Sequence, residues 1–87
     1  MSPPRSYELF LDAKAFTFVL DLTRREGRKI EAFLDELLLH PHREADYARV
    51  DEDGRKISSL IVHAYVIDYW IDEAVRRINI TRIESAD

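Results

Sequence analysis

The hydrophobic pattern of the first half of the chain changes its period once. Residues 6–11 alternate between apolar and polar positions, which predicts a β-strand with one buried face. Beyond Asp12, whose carboxylate suits a helix N-cap, apolar residues recur at the helical spacing i, i+3, i+4 and i+7. This spacing predicts two helices: the first is stopped by Gly27, and the second runs over residues 28–39 until Pro41 prevents its continuation. The short break between them predicts an antiparallel helical hairpin.

The second half of the chain returns to a period of two and is divided by short polar turns. Strands are predicted over residues 55–62, 65–71 and 75–83, residues 47–50 are a short strand candidate, and a polar tail is predicted over residues 84–87. The order along the chain is therefore one strand, two helices and then three or four strands. Helices that precede a run of strands predict an α+β fold, with the two-helix antiparallel hairpin packed on one face of a mainly antiparallel four-stranded sheet (strand-helix-helix-strand-strand-strand).

The length of the chain limits it to one domain. With 87 residues it can bury a modest core without disulfides or metal, so we expect a single domain over residues 1–87, of which residues 1–4 form a disordered leader. The predicted core joins apolar residues of both helices to apolar residues of three strands. These residues are Phe18, Leu22, Leu34, Leu37, Leu38, Leu60, Ile67, Tyr69 and Ile78.

Composition narrows the classes of function. The 13 Lys and Arg residues face 17 Asp and Glu residues, and the resulting net charge of -4 argues against direct binding of nucleic acid through a broad basic face. The absence of Cys excludes disulfides, thiolate metal sites and cysteine nucleophiles, and it fits a cytoplasmic protein. No apolar run approaches the ~20 residues that a membrane span needs, so we expect no membrane partner.

The densest apolar stretch, IVHAYVIDYW over residues 61–70, contains one His and one Asp. Their separation within a continuous strand would place His63 and Asp68 on opposite faces, and a turn directly after His63 would place them on different strands. A shared His–Asp site is therefore not predicted. Because burying an unpaired carboxylate is costly, Asp68 should either face solvent or pair with a cation on a neighbouring strand, with Arg77 and Asn79 as candidate partners.

Metal and cofactor sites are not predicted. His40 and His42 flank Pro41, which directs the two rings apart, and no third ligand follows at a recognised spacing. The acidic residues at 51–53 are followed by Gly54 and two cations instead of the further oxygen ligands of a calcium loop, so a charged hairpin tip explains them better. With only two Gly residues, the chain has no glycine-rich loop for phosphates.

A series of short segments carries a family resemblance through its order and spacing. The segments are YELFL at residues 7–11, FLDELLLHP at 33–41, DY at 46–47 leading into DGR at 53–55, VHAYVIDYW at 62–70, and the last strand through Ile78 and Ile80. Together they cover nearly the whole chain, although each motif alone is weak. In this order they resemble the RelE/ParE toxin superfamily of bacterial type II toxin–antitoxin systems.

The resemblance implies a small cytoplasmic α+β toxin that inhibits growth unless a cognate antitoxin binds it, a role associated with plasmid stabilization. RelE-like members cleave messenger RNA on the ribosome with Arg and Lys residues of the sheet and often a Tyr or His near the C-terminus, whereas ParE-like members lack this set and poison DNA gyrase. In this chain Val66 stands where the family commonly carries Arg, and residues 82–87 contain no Tyr or His. These departures favour a ParE-like or otherwise non-ribonuclease toxin and therefore a protein that is not an enzyme.

The candidate site residues are mostly cations. Arg49, Arg55 and Arg82 are predicted to bind an acidic segment of the antitoxin or of the target, because Arg pairs with carboxylates in a bidentate manner. One alternative is a ribosome-dependent mRNA endoribonuclease of the RelE type, with a non-standard catalytic site formed by Arg49, Arg55, Lys56 and His63. A second alternative is a degenerate, non-toxic interaction module of the same fold.

Overall fold

The computed structural model of the protein describes residues 7–86, so the leader predicted at residues 1–4 and the last residue of the predicted tail lie outside the described residues. The described chain forms two helices and five strands. In chain order these are β1 (Glu8–Leu11), α1 (Ala13–Leu20), α2 (Arg24–Leu39), β2 (Tyr47–Val50), β3 (Lys56–Val62), β4 (Tyr65–Asp72) and β5 (Arg77–Ser85). Neither helix is long and apolar enough to cross a membrane.

All strands belong to one sheet with the order β1-β5-β4-β3-β2. The pair of β1 and β5 is parallel, and the other three pairs are antiparallel. The α+β class and the mainly antiparallel sheet are confirmed, but the sheet has five strands and not the predicted four. The difference depends on the short edge strand β2, in which every residue is exposed. A strand without a buried face gives little alternation of apolar and polar residues, so its sequence signal is weak.

The two helices begin at side-chain caps. The Asp12 carboxylate accepts a hydrogen bond from the amide of Ala15 at 3.1 Å, as its predicted role as N-cap requires. The Thr23 hydroxyl accepts one from the amide of Glu26 at 3.2 Å and starts α2. The prediction that Gly27 ends the first helix is wrong, because its amide donates to the Thr23 carbonyl at 2.8 Å and Gly27 lies in the first turn of α2.

The helices cover one face of the sheet and enclose a single apolar core. The core residues Ile30, Leu37, Ile67 and Ile78 are completely buried. The predicted core is confirmed: six of its residues belong to the buried cluster, and Phe18, Leu22 and Leu38 are partly buried against it. Burial of this apolar surface is the main term that holds the helices on the sheet. The opposite face of the sheet carries no helix within residues 7–86.

Candidate functional site

The face of the sheet opposite the helices is named the open face. Residues that pair directly across strands share a face, and along a strand the faces alternate. Tyr47, Ser59, Asp68 and Arg82 therefore form one row across four strands. The other open-face residues used below are Phe10, Arg49, Val66, Trp70, Arg77 and Asn79.

A buried carboxylate lies at the centre of the open face. Asp68 is only 1% exposed. Its Oδ1 accepts a hydrogen bond from the Ser59 hydroxyl at 2.6 Å, and its Oδ2 accepts one from Nε of Arg82 at 2.8 Å. The Arg49 guanidinium lies 3.8 Å from the same Oδ2, and Arg82 also contacts Glu84 at 3.2 Å. These contacts satisfy both oxygens of Asp68, which a buried charge requires.

Arg82 is paired with two acidic residues of the open face, Asp68 and Glu84. Hydrogen bonding to Asp68 raises the pKa of the Arg82 guanidinium above its ordinary value, with a smaller contribution from Glu84. Arg49 differs, because its side chain is 61% exposed and its carboxylate contact is longer. Of the two cations beside Asp68, Arg49 is therefore the one able to bind a further anionic group from solvent.

Two turns bring this cluster together. His63 adopts the left-handed backbone conformation, with φ of 56°, in the tight turn between β3 and β4, and this turn places Ser59 opposite Asp68. The turn between β4 and β5 would align Asp68 with Thr81 in a regular ladder. An irregularity between Asp68 and Tyr69 shifts the register and brings Arg82 opposite Asp68 instead.

The predicted partners of Asp68 are corrected by this register. Asp68 does pair with a cation of the neighbouring strand, but that cation is Arg82 and not Arg77. Arg77 lies opposite Asp72, and its guanidinium lies over the Phe10 ring at 5.5 Å. The other predicted partner, Asn79, lies opposite Trp70. The prediction assumed a shorter turn after β4, and the observed turn over residues 73–76 displaces the whole of β5.

Arg55 lies at one end of the sheet, where acidic residues of the hairpin tip surround it. Its guanidinium pairs with Asp51 at 3.0 Å and with Asp53 at 2.8 Å, and it lies over the Trp70 ring at 4.8 Å. The backbone amide of Arg55 and its side chain hold the pKa of Asp51 below its ordinary value. Arg55 therefore organises the β2–β3 tip, and its charge is already compensated.

The four residues of the predicted catalytic alternative do not form one cluster. Lys56 begins β3, and His63 lies in the turn that follows the same strand. Arg49 is opposite Ile57, so His63 lies six positions further along the strand, a separation of about 20 Å at the rise of an extended chain. Val66, at the position where the RelE/ParE resemblance implies an Arg, lies in the middle of the sheet between Ile61 and Glu84 and adds no cation there.

The chemistry available on the open face follows from these distances. The central cation, Arg82, is paired, and the central carboxylate is buried and fully hydrogen-bonded. Within residues 7–86, no group of three or more His, Cys, Asp or Glu side chains is placed to hold a metal ion. On this face the exposed Arg49 lies beside the exposed ring of Tyr47, and Phe10 and Ile61 are exposed as well. Such a surface can bind a carboxylate and an apolar side chain of a protein partner.

Searches with the sequence find no relative: no model of a protein family matches the chain, and no characterised protein matches it. Solved structures do match. The chain is similar to a chain of the archaeal RelE–RelB complex from Pyrococcus horikoshii OT3, with 16% identity, a TM-score of 0.76 and coverage of 94% of this chain and 97% of that one.

Two structures from E. coli match equally well. The isolated RelE toxin gives 19% identity and a TM-score of 0.77, with coverage of 93% of this chain and 85% of that one. The chain in the intact RelBE toxin–antitoxin complex gives 19% identity and a TM-score of 0.76, with coverage of 93% and 98%. At these identities the likeness establishes the fold, and the RelE/ParE-like fold that the sequence predicted is confirmed.

Proposed function

We propose that this RelE-like chain is the toxin component of a type II toxin–antitoxin system and that a cognate antitoxin neutralises it by binding. The observation that carries the proposal is the match over 93% or more of the chain to toxins of this kind, two of them in structures with the antitoxin bound. The match also spans at least 85% of each matched chain, so it includes the whole toxin fold and not an isolated motif.

The finer proposal is that the toxin acts without cleaving RNA, as ParE-like toxins do. Cleavage of RNA needs cations that stabilise the developing phosphorane charge and groups that transfer protons. On the open face Asp68 holds Arg82 at 2.8 Å, and Val66 stands where a ribonuclease of this family commonly carries Arg. A phosphate approaching this centre would meet a buried carboxylate whose cation is already paired.

Arg49 is the residue that we assign to recognition of the antitoxin. It is 61% exposed, and its closest carboxylate lies at 3.8 Å, so pairing with a partner carboxylate costs little of its present contact. Arg55 and Arg82 were predicted beside it, but both already make short ion pairs. They contribute mainly by keeping the surface around Arg49 in place.

Growth of bacteria tests the toxin proposal. The gene is expressed from an inducible promoter with and without its neighbouring gene, and growth arrest is expected only when the neighbour is absent. Unimpaired growth in both cultures, with the folded protein present in the cells, would favour the alternative of a non-toxic interaction module.

Arg49→Ala tests the assignment of the antitoxin contact. We expect weaker binding of the co-expressed antitoxin by about tenfold, the usual size for losing one charge-assisted hydrogen bond at an interface. Arg25→Ala is the matched control, because Arg25 is an exposed Arg on α2, away from the open face. Equal affinities of both variants and the wild type would contradict the assignment.

A further inference from the structure

A second cation cluster lies on the side of the sheet opposite to Asp68. There a cavity of about 290 Å³ opens between the loop after α2, the start of β3 and the end of β4. Its polar wall is formed by His42, Arg43, Lys56, Ser58 and Tyr69, with Trp70 beside them. Ser58 and Tyr69 pair with each other and alternate with Ser59 and Asp68, so this cavity is on the helix side of the sheet and separate from the open face.

The charges around this cavity are not balanced. The Lys56 side chain makes no ion pair or hydrogen bond with any residue in the described part of the chain. Arg43 has one carboxylate within reach, Glu36 at 3.8 Å, and its guanidinium lies over the Phe33 ring at 5.6 Å. Arg55, which also lines the cavity, is compensated by its two aspartates. Two cations therefore face one small cavity in a chain whose net charge is -4.

The single acidic residue on the wall is held by other partners. One oxygen of Glu73 accepts a hydrogen bond from the Tyr7 hydroxyl at 2.5 Å, and the other lies 3.1 Å from Nε2 of His42. The same His42 nitrogen lies 3.0 Å from the Tyr7 oxygen. These contacts join the loop after α2 to the turn after β4 and fix the rim of the cavity. Within residues 7–86, Glu73 is held by these contacts and makes no ion pair with Arg43 or Lys56.

We propose that this cavity binds a small phosphate monoester. A phosphate dianion matches these two cations, of which Arg43 has only the long contact with Glu36 at 3.8 Å. Arg43 is able to donate two hydrogen bonds, Lys56 acts as a point charge, and the Ser58 hydroxyl adds a further donor. The volume is close to the lower end of the range for small-molecule sites, roughly 300 Å³, which suits a phosphate with a compact organic group. The side chain of Ile71, partly buried at the wall on the helix side, offers an apolar surface to that organic group.

Nuclear magnetic resonance titration of the full chain tests this site and does not depend on whether the protein is a toxin. The probes are phenyl phosphate, inorganic phosphate and, as a neutral control, phenol. Saturable shifts are expected for the amides of Lys56, Ser58 and Ile71 with both phosphates and not with phenol. Tighter binding of phenyl phosphate would identify a monoester as the ligand, and equal binding would identify free phosphate, with the same phosphate chemistry in both cases.

Charge-removing variants locate the binding. Lys56→Gln and Arg43→Gln are each expected to weaken phenyl phosphate binding by about tenfold, the loss of one charge-assisted hydrogen bond. Lys14→Gln, an exposed Lys on α1, removes the same charge elsewhere and should leave the affinity unchanged. Having two variants keeps the test valid if one of them folds poorly. Absence of saturable shifts, or equal affinity in Lys14→Gln and both cavity variants, would overturn the proposal.

Discussion

The two faces of the sheet differ in the interactions that hold their side chains in place. On the helix side, Leu37, Ile67 and Ile78 are completely buried and contribute through the removal of apolar surface from water. On the open face, the most buried side chain is the charged Asp68, which Ser59 and Arg82 hold by short hydrogen bonds. The buried apolar residues contribute most of the folding free energy. A buried ion pair often contributes little net stability and mainly fixes geometry.

This difference assigns different tasks to the two faces. The apolar core can tolerate changes of contact partner as long as volume is conserved, because its contacts are not directional. The open face arranges charged groups in fixed positions, with Arg77 over the Phe10 ring and Arg55 over the Trp70 ring at its ends. Fixed charges on a helix-free surface favour recognition of a partner.

Truncation of the apolar core should have the largest effect. Leu37→Ala removes a side chain with no exposure, and we expect the free energy of unfolding to fall by roughly 3–5 kcal/mol because a cavity remains. Chemical denaturation measures the loss, and Leu39→Ala, at a position that is 76% exposed, is the control and should change it little. An unchanged denaturation midpoint in Leu37→Ala would show that the helices do not pack as described.

Breaking the ion pair of the open face should cost less. Arg82→Ala leaves the buried carboxylate with Ser59 as its only close partner, and we expect a loss of roughly 2–3 kcal/mol because Arg82 itself is half exposed. The double variant Asp68→Leu with Arg82→Met should recover most of this loss, since no charge then stays buried. If the double variant is as unstable as Arg82→Ala, the Asp68–Arg82 ion pair itself contributes net stability. That result would contradict the difference in stability that we describe between the two faces.

A smaller, pH-dependent effect is expected where α2 meets the start of β4. The Tyr65 hydroxyl donates to Glu26 at 2.6 Å, and this bond, with Lys29, holds the pKa of Glu26 below its ordinary value of 4.5. A lowered pKa in the folded state stabilises the protein above pH 4.5, and this contribution is lost as the pH falls through the lowered value. Tyr65→Phe should therefore melt earlier than the wild type near neutral pH.

The melting temperatures of the two proteins should converge as the solution becomes acidic. Circular dichroism melts from neutral pH to below pH 4.5 measure this convergence. The variant Arg82→Ala provides a comparison on the open face. Its loss of stability comes from the contact of Arg82 with Asp68 and does not involve Glu26. A difference between Tyr65→Phe and the wild type that stays constant over the whole pH range would contradict the role given to Glu26.

The sequence predicted the elements whose residues have one buried face. The core of α2 and the alternation of β3 and β4 follow directly from their periodicity, and the match of the whole pattern to the RelE/ParE superfamily led to the right fold. The predicted start of α2 is wrong because the helix begins at the Thr23 cap and accommodates Gly27 in its first turn. The exposed edge strand β2 has no buried face by which periodicity could define it.

Only part of the candidate site could be predicted from the sequence. Once the turn after His63 is placed, Ser59 and Asp68 are symmetric about it, so their pairing could have been predicted. The pairing of Asp68 with Arg82 could not, because it depends on a register shift inside the β4–β5 ladder that leaves no mark in the hydrophobic pattern. The one-residue change of register decides whether Thr81 or Arg82 lies opposite the carboxylate.

The integrity of a messenger RNA in a cell-free translation reaction tests the central claim most directly, namely that the open face binds a partner and does not cleave RNA. The purified protein is added to the reaction, and the messenger is analysed by primer extension. Arg49→Ala, purified in the same way, controls for contaminating ribonuclease. We predict an intact messenger with both proteins. Cleavage by the wild type that Arg49→Ala does not reproduce would contradict the account and identify the open face as a ribonuclease site.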